Sequence, residues 1–332
     1  MFVLKFRYKI MEAFEKHLNG GDRNHNSNWV AKSGRNILVA VLVTCCLLSN
    51  AQNKDREISI AGTQFTYPLI KRWISEYSKI NPELKFRLIS DQENSDKADL
   101  TIIAHTPEKG EIAENKTLIS VGRFAILPIT NAKNQSFTKE FKKGVKQDEL
   151  KAIFIKDGAE FNPEAKKAKE SEYTVYTKTP QSCAAKVISS YLGHPSDDLN
   201  GIYVTGDDSY LITSLLEDST GVSYNNLGLI YDLNKRVPIN GIKILPIDLN
   251  NNGRIDKDEQ IYGNLDQVIT YLEGSKSASI PTDNLSFIAD EKQTNPEIAV
   301  FLNWVKASGQ EFNHQYGFLN TTALKNSDLT QK

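Results

Sequence analysis

Residues 248–259, DLNNNGRIDKDE, set oxygen-bearing side chains at alternate positions around a single glycine. Asp248, Asn250 and Asn252 supply side-chain oxygens and Gly253 permits the sharp turn. Arg254 would offer its carbonyl, Asp256 would act directly or through water, and Glu259 would close the shell with two oxygens. So many oxygens on a flexible loop suit Ca2+ better than Mg2+, which demands a rigid octahedron. The competing reading is an Asn/Gly-rich turn that needs no metal. A lone loop of this type staples structure, so the expected Ca2+ role is structural and not that of a sensor.

A second chemical feature opens at 58–73, ISIAGTQFTYPLIKRW, where a short strand, a glycine turn and a proline-started helix follow one another. This order aims a helix N-terminus above the strand end. Unpaired backbone N–H groups and the positive end of the helix dipole make that place receptive to an anion. Cys183 sits beside another helix start, but nothing near it in sequence supplies a base, so it reads as a small buried hydrophobe. No Gly-x-Ser-x-Gly, His-Glu-x-x-His, P-loop or dinucleotide glycine pattern is present, and the expectation is a binding protein and not an enzyme.

The opening strand, turn and helix, with Gly62, Phe65, Pro68 and Trp73, resemble the start of the phosphate-binding proteins of phosphate ABC importers. Gln64 stands where that family usually has Thr, and Thr66 where it often has Pro. Further likeness lies in Ile153-Phe154, in 221–231 and in FLNWVKASGQEFNHQYGFLN near the end, and it covers most of 57–322. The resemblance implies a type II periplasmic-binding-protein fold, two α/β lobes joined by a two-segment hinge. Lobe 1 would comprise 52–127 and 285–332, and lobe 2 would comprise 128–284. On that analogy 124–131 carries the chain outward and 284–289 brings it back.

The same resemblance implies an interlobe ligand site formed by Thr63, Gln64, Phe65, Lys178, Thr179 and Ser182. Aligning Tyr191-Leu192 puts Lys178 at the family's Arg, Ser182 at its Ser, Cys183 at its Gly and Ala184 at its Thr. The Asp that closes the family's third strand is missing, because 104–107 reads AHTP, and 90–97 is too short for the Gly/Ser-rich turn and its helix. His105 either takes the place of that Asp in the cleft or is a strand-end surface histidine. Lys178 and Ser182 equally fit a solvated turn and a helix cap. Arg grips phosphate with a bidentate fork, whereas Lys is a mobile point charge, so the implied anion site is eroded. The expectation is an exported solute-binding protein with a weakly held phosphate-like anion and an ABC permease or other envelope protein as partner. A degenerate fold serving as an envelope interaction module, without a transport substrate, is the alternative. The calcium loop, in turn, resembles that of an EF-hand, although a strand over 242–247 replaces the usual entering helix.

The compartment is read from 37–48, ILVAVLVTCCLL, which follows Lys32 and Arg35 and precedes Ser49-Asn50-Ala51. It is too short to span a bilayer and matches a secretory signal over 1–51 with cleavage after Ala51. Cys45 or Cys46 provides a lipoprotein alternative, against which Thr44 counts. Seven of the 40 Lys/Arg and three of the 41 Asp/Glu lie in 1–51, which leaves 33 basic and 38 acidic residues and a net charge of −5. Such a balance has no footprint for nucleic acid or anionic membrane. Only Cys183 of the three cysteines remains, so no internal disulfide is expected in what should be a periplasmic or otherwise secreted monomer.

Hydrophobic periodicity supplies the elements that must position these features. Strands are expected at 58–61, 85–89, 98–104, 124–129, 173–177, 227–231, 242–247 and 285–289. Helices are expected from Pro68, over 148–154, from Pro180 with Thr179 as N-cap, over 210–217 and 264–272, and from Pro296 to near Gly309. The stretch 158–172 reads as a solvated loop. The alternation of elements is that of an α/β protein.

Overall fold

The computed structural model describes residues 57–89, 97–156, 173–274, 279–292 and 295–321. Residues 1–56, which hold the expected leader with Cys45 and Cys46, residues 90–96 and the expected 158–172 loop lie outside the described residues. Among the described residues nine strands form a mixed sheet in a bilobal type II periplasmic-binding-protein-like fold.

The first half begins with β1 (Glu57–Gly62), which pairs in parallel with β2 (Lys85–Leu88) and β3 (Leu100–Ile103). Four successive residues of β1 are buried, as a parallel strand covered on both faces requires. Between β1 and β2 runs α1 (Tyr67–Ile80), started by Pro68 and burying Leu69, Ile70, Trp73 and Tyr77 at helical spacing. The expected Ile74 is only partly buried. Trp73 is fully enclosed, and its Nε1 donates to the Gly309 carbonyl at 2.9 Å. Burial of such a ring contributes roughly 4–6 kcal/mol.

The long strand β4 (Lys116–Asn131) connects the two halves. Lys116 to Ala125 pair with β9 (Thr282–Asp290), which in turn pairs with β3. Ile126 to Thr130 pair instead with β7 (Gly221–Asn226), and Ile129 to Asn131 with β8 (Ile242–Ile244). The change of partner at Ala125/Ile126 moves the chain from one lobe to the other. β5 (Thr174–Lys178) then joins β7 to the edge strand β6 (Ile202–Val204).

Helices α2 (Gln135–Glu140), α3 (Gln147–Phe154), α4 (Cys183–Tyr191) and α5 (Ser209–Glu217) belong to this second half, with α6 (Leu227–Ile230) and α7 (Leu265–Gly274). Next comes α8 (Pro296–Lys306), whose N-cap Asn295 accepts from the Glu297 N–H through its side chain, and a 3-10 helix over Ser308–Tyr316 follows it. The buried face of α8 is the expected Ile298, Phe301, Leu302 and Val305, and Phe301 packs on Phe86 and Tyr77.

Four expectations are corrected. Residues 227–230 form a helical turn after the buried strand β7, because a short apolar run has no period that separates buried strand from buried helix. The helix expected from Pro180 begins at Cys183, with Ser182 and not Thr179 as its cap; the Ser182 Oγ accepts from Ala185 N at 3.2 Å. The strand expected over 242–247 stops at Ile244. Residues 284–289 lie in the first lobe and do not cross, since they pair with Thr117 to Arg123 of β4 and with β3.

Candidate functional site

Gly62 ends β1 with φ +120°, and a Cβ there would stand 2.1 Å from the Ile102 carbonyl oxygen. Only glycine allows the chain to turn this close to β3, and the following Thr63 N–H donates to that same carbonyl at 3.1 Å. Opposite the turn, β5 delivers Lys178 and the 179–182 bend leads into α4. A cavity of about 820 Å³ lies between them. Thr63, Gln64, Phe65, Lys178, Thr179 and Ser182 all line it, joined by His105, Gln181, Cys183 and 205–208.

The charged donor of this cavity, Lys178, already has partners. The Lys178 ammonium is buried, donates to the Gly206 carbonyl at 2.6 Å and pairs with Asp208 at 3.6 Å. Burial pushes the Asp208 carboxyl up to about 6, against the pull of Lys178. The Ser182 hydroxyl caps α4. The Phe65 ring is buried against Phe124 and Phe318, which leaves its backbone as the part that can face a ligand. Asp207 adds a carboxylate to the lining, so the cleft carries acceptors as well as donors.

The cluster that sequence reasoning missed lies at one wall. Cys183 Sγ is 3.0 Å from His105 Nδ1, 3.1 Å from Thr63 Oγ1 and 3.5 Å from the Ala104 N–H. His105 Nε2 is 2.7 Å from Glu111 Oε1, and Lys186 Nζ donates to the same oxygen at 2.6 Å. Thr63, Ala104, His105 and Glu111 come from the first lobe, and Cys183 and Lys186 from α4 in the second. His105 is buried, which corrects the surface-histidine reading, and Cys183 is half-buried beside polar groups and is not a hydrophobe in an apolar core. Burial pulls the His105 imidazole down, but its bonds to Cys183 and Glu111 and the Cys183 charge outweigh this and hold it above its ordinary value. Burial raises the Glu111 carboxyl, yet Lys186, the Glu108 N–H and His105 together bring it down to about 2. The clue in the sequence was Cys183 at a helix start; the imidazole beside it belongs to a residue 78 positions upstream and is brought in by the fold.

The 248–259 loop is folded around its own acidic side chains. Asp248 accepts from the Asn252 and Gly253 N–H groups, and Glu259 from those of Asn250 and Asp256. Asp248 and Glu259 are buried. The side-chain amides of Asn250 and Asn252 both turn to Asp256 Oδ2, at 3.2 and 2.7 Å, and Arg254 Nε reaches Asp256 Oδ1 at 2.8 Å. Among the described residues no three His, Cys, Asp or Glu side chains converge as a metal cluster.

No protein-family model matches the chain, and no curated protein does. Solved structures do match. One, assigned as a phosphate ABC transporter substrate-binding protein from Clostridium perfringens with bound phosphate, superposes with a TM-score of 0.58 at 12% identity over 80% of this chain and 99% of the other. An ABC-type phosphate transport receptor from Vibrio cholerae gives a TM-score of 0.53 at 12% identity, covering 80% of this chain and all of the receptor. At this identity the likeness establishes the periplasmic-binding-protein-like fold alone.

Proposed function

We propose that the chain is an exported solute-binding protein that takes a small phosphate-like oxyanion weakly, without covalent chemistry, in its interlobe cleft and serves an ABC permease. The observation that carries this reading is the cavity between the 62–65 turn and the start of α4, into which Thr63, Gln64, Lys178, Thr179 and Ser182 all project. The fold shared with the phosphate-binding neighbours supports it. The binding is weak because Lys178 is held by Gly206 and Asp208, Asp207 and Asp208 repel an anion, and each oxyanion donor withheld removes about 1.5–3 kcal/mol. Calorimetric titration with phosphate and sulfate tests it.

One observation favours the second reading, an envelope interaction module without a transported solute. The two lobes are already joined across the cleft by the Cys183, His105, Lys186 and Glu111 contacts, so closure does not wait for a ligand. Absence of any anion heat, together with a folded cleft, would select that reading.

The 248–259 loop is further proposed to hold one Ca2+ through Asp248, Asn250, Asn252, the Arg254 carbonyl, Asp256 and Glu259. Support comes from the donor chemistry and from Gly253 at φ +83° and Asn251 at φ +60°, while the Asn250 and Asn252 amides donate N–H groups to Asp256. Binding requires the two amides to present oxygen and the carboxylates to draw in. The ion would supply a structural cross-link within the second lobe.

A further inference from the structure

The Cys183 cluster has the parts of an activated nucleophile. The Glu111 carboxylate can only accept, so its 2.7 Å contact favours the hydrogen of His105 on Nε2; Lys186 Nζ lies 3.2 Å from the same nitrogen but donates to Glu111 at 2.6 Å. Nδ1 is then left facing Sγ at 3.0 Å, with the thiol proton on the line between them. Thr63 Oγ1 at 3.1 Å and the Ala104 N–H at 3.5 Å are donors to the charge that develops on sulfur when this proton moves. Sγ, His105 and Thr63 all line the cleft of about 820 Å³, so a small molecule in the cleft meets the sulfur directly.

The surroundings select among electrophiles. Attack on a carbonyl builds an oxyanion that needs its own donors. The Ala104 N–H points at the sulfur itself and the Ala185 N–H is taken by Ser182, which reduces the donors left for an oxyanion to the first N–H groups of α4. Attack on a disulfide builds no oxyanion; it needs an exposed thiolate and a proton for the leaving sulfur. We propose that Cys183 is a reactive thiol, with His105 as its base and Glu111 as the group that orients that base, and that it exchanges with small organic disulfides entering the cleft. Sγ forms a bond to one disulfide sulfur, the original S–S bond breaks, and the departing thiolate takes the proton that His105 removed from Cys183. The products are a mixed disulfide on Cys183 and one small thiol; the protein sulfur is oxidised and the released sulfur reduced. Cys45 and Cys46, the other cysteines of the sequence, both lie in the leader stretch, so an external thiol must reverse the exchange. The mixed disulfide replaces the Thr63 and His105 contacts of Sγ and so occupies the junction between the lobes.

Dithiodipyridine, a small disulfide whose released thiopyridone absorbs in the ultraviolet, is the probe. The rate is measured at neutral pH for the full chain, native and unfolded in denaturant, and the Cys183→Ser variant supplies the background from the two leader cysteines. The native Cys183 phase is expected to be at least about tenfold faster than the unfolded one, with mass spectrometry placing the adduct on Cys183. His105→Gln should abolish the acceleration while its melting curve shows a folded chain. Glu111→Gln should shift the pH dependence of the rate, which is set by Cys183, His105, Glu111 and Lys186 together. A native phase no faster than the unfolded one overturns the proposal by itself, whether or not the variants fold, and so does a folded His105→Gln that reacts like the wild type. Neither outcome depends on anion binding.

Discussion

Lys178 lies 3.6 Å from Asp208, both buried, and the ammonium also donates to the Gly206 carbonyl at 2.6 Å. The side chain that aligns with a phosphate-gripping Arg is therefore engaged within its own lobe. Removing one member of a buried pair strands the other charge, so Lys178→Met should destabilise the chain by about 3–5 kcal/mol. Urea unfolding measures this, and a loss below about 1 kcal/mol would show that the pair is hydrated.

Asp208 also sets a pH dependence. Its carboxyl is raised from 3.8 to about 6, so the native state binds its proton more tightly than the unfolded state. The contribution to stability is complete below 3.8 and is lost as pH rises through about 6. Asp208→Asn should flatten the stability profile in that window. An unchanged slope would assign it to another group.

Glu111 gives the opposite sign. Its carboxyl is lowered from 4.5 to about 2, so its contribution is present above 4.5 and disappears as pH falls toward about 2. Glu111→Gln should weaken the acid dependence and free Lys186 and His105 from their shared partner. Proton titration of His105 by NMR checks the coupling, since loss of the Glu111 bond should lower the imidazole.

For the calcium loop, thermal melts in Ca2+ and in chelator should differ. Ligand at a hundredfold excess over Kd stabilises by about 2.7 kcal/mol. Asp248→Ala and Glu259→Ala should remove the difference, and identical midpoints for the wild type in both buffers would reject the ion.

Much of the fold was legible because it rests on local signals. Pro68 and Pro296 start helices where the sequence placed them, and the apolar faces of α1 and α8 follow from helical spacing. The 227–230 turn was misread because so short an apolar run carries no distinguishing period, β6 and α2 were missed because each is short, and β7 was missed because GVSYNN has few apolar residues to mark a strand. In the site, the turn residues and the start of α4 are local and readable. Pairings across the cleft are not, because His105 with Cys183, and Lys178 with Asp208, depend on which strand ends the sheet order brings together.

The measurement that most directly tests the central claim is calorimetric titration of the purified chain with phosphate and sulfate, repeated with Lys178→Ala. The engaged Lys178 and the acidic lining residues predict saturable but weak binding, with a Kd above about 1 μM, or less than roughly 8 kcal/mol of binding free energy. Sub-micromolar phosphate binding would contradict the eroded site, and no binding of either anion by a folded chain would contradict the solute-binding account itself.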